Sequence, residues 1–190
     1  MQTGNTKATT TQMFLFFGNR NSFLKRILFR VGIITLCIIA CFVLFFEVKT
    51  VSGVSMYPAI RDGERILIFK FAYGLKLPFV ESYILRWTVP QKGDTVIFRI
   101  DGRTVIKRVY AVAGEKIPYM DDAGKKYLTV SSEQIALTSE EFRTLCGNGS
   151  KAEVPANMFL ALGDNFAFSE DSRHYGFVSY ESVLGKVVCK

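Results

Sequence analysis

Two side chains that lie far apart in the sequence could together do the chemistry of a serine hydrolase. Ser55 lies in the run Val-Ser-Gly-Val-Ser-Met-Tyr-Pro, and Lys107 lies in the run Val-Ile-Lys-Arg-Val. A neutral lysine amine can take the proton of a serine hydroxyl, so a serine–lysine dyad needs no histidine. The chain has one histidine, His174, and a Ser-His-Asp triad would have to use it. The residue types therefore pose a choice between two kinds of serine hydrolase.

A predicted hairpin around Asp101-Gly102 would give Lys107 a defined environment. An Asp-Gly pair between two β-rich runs is a strong hairpin signal. Side chains alternate faces along a strand, so Lys107 shares its face with Val105 and Val109. If that face points inward, burial lowers the pKa of the Lys107 amine and makes it a base near neutral pH. On an edge strand, Lys107 would instead end at the surface.

Ser55 lies in a segment that is expected to form a tight turn. Gly53 permits a close backbone approach, and Pro58 fixes a bend. Such a turn can expose a hydroxyl beside backbone N–H groups, which is what an oxyanion site requires. Taken alone, Ser55 would be an ordinary polar loop residue.

Residues 27–46 form an apolar run that predicts one membrane-spanning helix, with Arg30 near its start reaching the interface. The chain has a net charge of +7, and its basic residues before Glu47 have no acidic neighbour: Lys7, Arg20, Lys25, Arg26 and Arg30. This is the positive-inside pattern of a membrane protein, not a nucleic-acid patch. It predicts a cytoplasmic tail (1–26) that is flexible over residues 1–21, an anchor (27–46) and an extracytoplasmic domain (47–190).

A cleaved secretory signal is the alternative interpretation of the same run. Cleavage requires small residues after the apolar core. Bulky residues end this run instead, followed by Glu47 and Lys49, so an uncleaved anchor is favoured.

The residues after the anchor predict one mainly β domain. Strands are expected at 65–71, 94–100, 104–111, 158–162 and 185–188, with a helix at 139–145 capped by Thr138 and Glu141. Aromatic residues at 69, 71, 73, 79, 83 and 87 are expected either to touch lipid headgroups or to pack in the β core.

The cysteines and the histidine do not predict a metal site, and no cofactor is expected. Cys146 and Cys189 have no C-x-x-C spacing, and His174 has no partner at zinc-ligand spacing. If the domain lies outside the cytoplasm, a Cys146–Cys189 disulfide is one of two alternatives for these thiols.

Four segments resemble, in order, the successive boxes of type I signal peptidases. They are Ser55-Met56-Tyr57-Pro58, Gly93-Asp94-x-Val96-x-Phe98, Ile106-Lys107-Arg108-Val109 and Gly163-Asp164-Asn165…Ser169-x-Asp171-Ser172-Arg173-x-x-Gly176. Residues 71–78 also resemble a family stretch. The resemblance covers 51–116 and 159–187. Any one box is a weak signal, but four in order behind an anchor are specific.

The resemblance implies a signal-peptidase-like β catalytic domain after one N-terminal transmembrane helix. It implies a serine endopeptidase that cleaves N-terminal signal peptides from exported preproteins, with small residues at the first and third positions before the cut. Ser55 would be the nucleophile and Lys107 the general base. The remaining roles are an orienting serine (Ser169), two supporting ion pairs (Asp171 with Arg173, Asp164 with Arg108) and a substrate pocket (Val51, Ile60 and Ile106). At the position of His174 the family commonly has an aromatic residue, so His174 is interpreted as a filler.

Two departures from the family pattern bear on the site. Gly53 stands where some members carry a serine that helps the oxyanion site, so this chain would rely on the Ser55 N–H and another donor. Phe166 and Ala167 replace the charged pair that is common after Gly-Asp-Asn. This difference affects residues that support the site and leaves the dyad unchanged.

The expected location is the plasma (inner) membrane, with a single span. Ser55 follows Phe46 so closely that an extended connection would reach only about 30 Å, which puts the site near the membrane surface. The expected partners are signal-peptide-bearing exported proteins and the lipid bilayer, without nucleic acid. A peptidase dedicated to a pilin or to a conjugation or secretion component, and an inactive membrane-anchored assembly protein, remain as alternatives. A self-cleaving repressor would need a DNA-binding head in place of the span.

Overall fold

A long helix and a β domain make up the protein in a computed structural model. The structure describes residues 7–76, 82–117, 119–122, 125–130, 133–147 and 152–189. The chain divides into two compact units, the first ending at Leu44 and the second running Phe45–Lys190. The predicted fold class, a mainly β domain preceded by one N-terminal apolar helix, is confirmed.

Helix α1, Lys7–Phe45, contains the segment Phe23–Phe45, which is long and apolar enough to cross a membrane. Every side chain of that segment is exposed, as expected for a helix whose apolar surface faces lipid. The apolar helix predicted at 27–46 is therefore present, with its apolar stretch beginning nearer the N-terminus, at Phe23. The flexible tail predicted for residues 1–21 is wrong from Lys7 onward, because no proline interrupts the helix before the span.

The strands are, in chain order, β1 Phe46–Thr50, β2 Arg65–Phe69, β3 Gly74–Leu75, β4 Leu85–Arg86, β5 Thr95–Ile100, β6 Arg103–Val112, β7 Lys116–Ile117, β8 Tyr119–Asp122, β9 Lys125–Val130, β10 Glu133–Leu137, β11 Ala152–Glu153, β12 Met158–Leu162, β13 Val178–Ser179 and β14 Val183–Cys189. The largest sheet has the order β1-β2-β14-β5-β6-β12-β13, and its pairs are antiparallel. Strands β8, β9 and β10 form a separate three-stranded sheet.

The β5–β6 hairpin forms at the predicted turn. Asp101 and Gly102 have φ values of 47° and 73°, the left-handed pair that a two-residue hairpin turn requires. The resulting register sets Val96 opposite Lys107. Burial alternates along β6, so that Lys107, Val109 and Ala111 point inward. The hairpin therefore turns the amine of Lys107 into the protein.

Several strands were not predicted from the sequence, and the longest of them are β1 and the three strands β8 to β10. Strand β1 follows α1 directly and pairs with β2 from Phe46↔Phe69 to Thr50↔Arg65. Strands β8 to β10 lie in a segment whose polar composition hides the alternation. Both sets of strands are recognisable only through their partners, since short strands carry little signal of their own.

Helix α2, Ser139–Cys146, confirms the predicted helix at 139–145. The Thr138 side chain accepts from the Glu141 N–H at 3.2 Å, and the Glu141 carboxylate accepts from the Thr138 N–H at 2.8 Å. This reciprocal capping box stabilises the helix start. The Cys146 thiol at the helix end is not joined to Cys189, so the disulfide alternative is not found.

Candidate active site

Lys107 is a buried amine on β6, an interior strand of the largest sheet. Its side chain is 4% exposed. Burial lowers the pKa of Lys107 because the ammonium loses its hydration; nearby Asp171 and Glu170 act in the opposite direction. The position on an inward-facing strand therefore favours the neutral form that a general base needs.

The Lys107 amine meets the hydroxyl of Ser55. Lys107 Nζ lies 2.9 Å from Ser55 Oγ. This is hydrogen-bond distance, and it is the geometry that proton transfer between the two groups requires. The sequence singled out both residues, and the tertiary structure brings them together.

The loop that carries Ser55 is held from both sides of the serine. Before it, Gly53 has φ 104° and donates its N–H to Asp62 Oδ1 at 2.8 Å. After it, the Ile60 N–H donates to the Met56 carbonyl at 2.8 Å. The left-handed φ explains why glycine stands at position 53, because a side chain there would strain the backbone. The loop therefore holds Ser55 against β6 with little freedom.

The backbone N–H of Ser55 is a candidate donor for an oxyanion. The Gly53 N–H is occupied by Asp62, so it does not supply the second donor. The Ser55 N–H makes no hydrogen bond within the described part of the chain. A backbone N–H beside a nucleophile is a group that stabilises the oxyanion of a tetrahedral intermediate.

The Gly-Asp-Asn segment packs directly on the Ser55 loop. Asn165 donates its backbone N–H to the Ser55 carbonyl at 3.0 Å and its side-chain amide to the Val54 carbonyl at 3.1 Å. A Cβ placed on Gly163 would lie 2.5 Å from the Ser55 carbonyl oxygen and would also collide with Ser169 Oγ. Gly163 is therefore required by a close approach of two backbones, a role that the sequence analysis did not assign.

Ser169 is buried beside Gly163, near the Ser55 backbone. Its hydroxyl oxygen is enclosed but makes no hydrogen bond with any described residue. The hydrogen bond to Lys107 that the resemblance implies is therefore not made in this structure. A buried hydroxyl without a partner is uncommon in folded proteins.

Asp171 and Arg173 form a buried, two-pronged ion pair. Arg173 Nε and Nη2 donate to Asp171 Oδ1 and Oδ2 at 2.8 and 3.0 Å, and the two side chains are 5% and 0% exposed. Arg173 also reaches the Phe166 carbonyl at 2.8 Å and the Ser169 carbonyl at 3.2 Å. The pair thereby ties the loop carrying Ser169 to the start of helix α3, Ser172–Tyr175.

Asp164 and Arg108 form a second two-pronged pair, at the other side of the segment. Arg108 Nε and Nη2 donate to Asp164 Oδ1 and Oδ2 at 2.8 and 2.7 Å. A third donor, Nη1, reaches the Gly93 carbonyl at 3.0 Å. Because Arg108 follows Lys107 on β6, this pair joins the strand of the amine to the Gly-Asp-Asn segment.

Arg103 and Glu170 form a third such pair, which the sequence analysis did not identify. Arg103 Nη2 and Nη1 lie 2.9 and 3.1 Å from the two carboxylate oxygens, and both side chains are 57% exposed. Glu170 stands between Ser169 and Asp171, two residues that were singled out. The two residues are 67 positions apart in the sequence, so no local pattern indicates that they form a pair.

His174 lies apart from the chemistry of Ser55. Its Nδ1 accepts the Asp171 N–H at 3.3 Å, and its Nε2 lies 3.6 Å from Glu141 Oε1. Both contacts belong to helix ends. The filler interpretation made from the sequence agrees with this position.

The three residues proposed for a substrate pocket lie in one apolar cluster. Val51 and Ile60 are buried, and Ile106 packs against them partly exposed. Ile106 is the residue before Lys107, and Val51 precedes the turn that carries Ser55. The cluster therefore forms the apolar support under the two reacting groups.

The chain is similar to known proteins over most of its length. A family model described as Signal peptidase, peptidase S26, matches residues 22–190. The chain is 28% identical to Signal peptidase I V of Bacillus subtilis, over 86% of this chain and 96% of that protein. It is 27% identical to Signal peptidase I of Buchnera aphidicola, over 74% of this chain and 66% of that protein. A crystal structure of a signal peptidase I from Enterococcus faecalis aligns with 52% of this chain and 97% of that chain, at 28% identity and a TM-score of 0.35.

The chain thus spans nearly all of the Bacillus subtilis relative and just under two thirds of the Buchnera aphidicola relative. The resemblance to type I signal peptidases seen in the four sequence boxes is confirmed by the family match. Since that match covers the chain from residue 22 to its last residue, this protein belongs to the signal peptidase family, peptidase S26.

Proposed function

We propose that this chain is a membrane-anchored serine endopeptidase that cleaves signal peptides with a Ser55–Lys107 dyad. The single observation that carries the proposal is the 2.9 Å separation of Lys107 Nζ and Ser55 Oγ in a chain of this family. The burial of Lys107 supports it, because a desolvated amine gives up its proton more readily than an exposed one.

In the proposed reaction, Ser55 Oγ attacks the carbonyl carbon of the scissile peptide bond while Lys107 Nζ takes the hydroxyl proton. The oxyanion that forms accepts a hydrogen bond from the Ser55 N–H. The tetrahedral intermediate collapses to an ester on Ser55, and the Lys107 ammonium gives its proton to the leaving amine. Lys107 then deprotonates a water molecule, which hydrolyses the ester and restores the serine.

The supporting residues would keep the dyad in register. The Asp171–Arg173 and Asp164–Arg108 pairs fasten the loop beside Ser55 to helix α3 and to strand β6. We assign Ser169 as the residue whose hydroxyl orients the Lys107 amine when substrate is bound, since that hydroxyl is buried nearby without a partner. Val51, Ile60 and Ile106 would present apolar walls to small side chains before the cut.

The proposed placement has the N-terminus in the cytoplasm and the β domain outside it, at the plasma (inner) membrane. The basic residues on the N-terminal side of the span support this orientation. Strand β1 begins directly after the helix, which supports an active site close to the bilayer. Exported preproteins present their signal peptides at the same surface.

Contact with lipid headgroups is proposed for a smaller set of side chains than the sequence indicated. Tyr73 is buried and donates its hydroxyl to Asp94 at 2.8 Å, and the Tyr83 hydroxyl donates to the Val183 carbonyl at 3.0 Å. These two pack in the protein. Trp87, by contrast, is 54% exposed, next to the exposed Leu85. Phe79 lies outside the described residues.

Two substitutions test the proposed function. Ser55→Ala and Lys107→Ala are each expected to abolish cleavage of a preprotein with an Ala-x-Ala site, while the purified full-length proteins keep their fold. The matched control is Ser52→Ala, which changes an exposed serine of the same loop. Retained cleavage in Ser55→Ala or Lys107→Ala would refute the dyad, and absence of cleavage by the unmodified protein would favour the inactive assembly protein.

A further inference from the structure

Three carboxylates act electrostatically on Lys107, and an arginine holds each of them with two hydrogen bonds. The carboxylates that act on the Lys107 amine are Asp171, Glu170 and Asp164, together with the guanidinium of Arg173. Arg173 holds Asp171, Arg108 holds Asp164 and Arg103 holds Glu170. Two-pronged arginine–carboxylate pairs are geometrically specific, so each carboxylate has a fixed partner.

The Arg103–Glu170 pair differs from the other two in its exposure and its position. Both side chains are more than half exposed, so the pair contributes little to folding. It nevertheless joins two elements that carry the site. Arg103 begins strand β6, which holds Lys107, and Glu170 stands between the buried residues Ser169 and Asp171.

The charge of Glu170 affects the pKa of the Lys107 amine. A carboxylate near an amine stabilises the ammonium, and Glu170 raises the pKa of Lys107 against the larger effect of burial. The guanidinium of Arg103 in turn lowers the pKa of Glu170 through its hydrogen bonds and charge, which keeps the pair ionised and neutral as a whole. Removing either partner would leave a single charge beside the site.

We propose that Arg103 and Glu170 are positioning residues that set the pH range in which Lys107 acts as a base, by keeping a neutral ion pair between strand β6 and the Ser169 loop. The inference rests on the proposed function of Lys107. It assigns neither residue a contact with substrate, and it adds a role that the four family boxes do not include.

The two residues of the pair carry opposite charges. An electrostatic role therefore predicts that the two single variants shift the pH profile in opposite directions, whereas a purely structural role does not. Arg103→Gln leaves the Glu170 carboxylate alone, so the acidic limb of the pH profile moves to higher pH. Glu170→Gln leaves the guanidinium alone, so the same limb moves to lower pH. The double variant returns the limb toward that of the unmodified protein, and Arg103→Lys, which keeps the charge, stays close to it.

Other groups near the pair must be held constant. Glu170 also faces His174, and Arg103 faces Asp101 and Tyr175. Burial raises the pKa of Tyr175 far above its ordinary value, so its phenol stays neutral. An imidazole can carry a charge of its own, so all variants are built on a His174→Gln background, which also serves as their reference.

The experiment measures kcat/KM between mildly acidic and alkaline pH for the full-length protein in detergent, with a peptide that spans an Ala-x-Ala site. The pH dependence of kcat/KM reports the ionisation of the free enzyme. Opposite shifts in the two single variants support the proposal. Repetition at about 1 M salt, where the screening length is only about 3 Å, should shrink both shifts. Glu47→Gln, which breaks an exposed pair with Lys49 on β1, is the control.

Superimposed profiles, or shifts in the same direction, would overturn the proposal, and so would a loss of rate without any shift. These outcomes are distinct from failure of the proposed function. If Lys107 is not the base, the unmodified protein itself lacks the acidic limb. If only the ion pair is irrelevant, that limb is present and unchanged in every variant.

Discussion

Lys107 Nζ and Ser55 Oγ lie 2.9 Å apart, although 52 positions separate the two residues in the chain. The contact depends on the inward face of strand β6 and on a loop that begins directly after strand β1. It joins a desolvated amine to an alcohol, which is the minimum that the proposed reaction requires.

Activity is expected to rise with pH through the pKa of Lys107. Burial lowers that pKa below the ordinary lysine value, so the neutral amine becomes available at a lower pH than for an exposed lysine. Below the lowered pKa the ammonium cannot accept the serine proton, and the rate falls. Measurement of kcat/KM against pH checks this, and a flat profile from mildly acidic to alkaline pH would contradict proton removal by Lys107.

Lys107→Met is expected to abolish activity and to stabilise the fold near neutral pH. The pKa of Lys107 is lower in the folded protein than in the unfolded chain. Below the folded pKa, burying the ammonium therefore lowers the free energy of unfolding. This destabilisation disappears as the pH rises from the folded pKa to the unfolded one. A methionine of similar length carries no such penalty. Thermal unfolding at pH 7 and at pH 10 should show a larger gain for the variant at pH 7. A lower midpoint at pH 7 would contradict the claim that the amine is destabilising.

Gly163→Ala is expected to lower the cleavage rate by about 100-fold or more. A Cβ at this position lies 2.5 Å from the Ser55 carbonyl oxygen, so the serine loop must move, and a displacement of about 1 Å is enough for such a loss. Adding Ser169→Ala should not restore the rate, because the collision with the Ser55 backbone remains. Gly32→Ala, at a helix position with open space, is the control. Wild-type kinetics in Gly163→Ala would show that the close approach is unnecessary.

Asp171→Asn is expected to destabilise the domain by about 3–5 kcal/mol, because it leaves the buried Arg173 guanidinium without its counter-charge. Urea unfolding followed by far-ultraviolet circular dichroism measures the change. Glu170→Gln, which opens the exposed pair next to it, serves as the matched control and should leave the unfolding midpoint in place. Equal midpoints for both variants would mean that burial of the pair carries no stability.

Thr138→Ala is expected to cost about 1 kcal/mol of stability and to leave cleavage kinetics unchanged. The threonine hydroxyl accepts a hydrogen bond from the Glu141 N–H at the start of α2. Its hydrogen bonds within the described part of the chain involve neither Ser55 nor Lys107. Chemical unfolding and kcat/KM on the same preparation separate the two effects. Reduced kcat/KM at full stability would instead connect α2 to the site.

The sequence by itself determined the elements whose signals are local. The Asp101-Gly102 turn, the capping box at Thr138 and the apolar run before Glu47 each depend on neighbouring residues, and each element forms where it was predicted to within a few residues. Backbone preferences and hydrophobic periodicity act over one or two turns, so they are legible without the fold. The choice of Ser55 and Lys107 came from four short boxes in order.

Only the tertiary structure decided what those residues meet. The separation of Ser55 from Lys107, the Arg103–Glu170 pair and the requirement for Gly163 all join segments that are distant in the chain. Such contacts depend on strand register and on how loops pack against a sheet, and a shift of one residue would turn Lys107 to the other face. No local pattern encodes that register, because it is set by the free energy of burying the whole core at once.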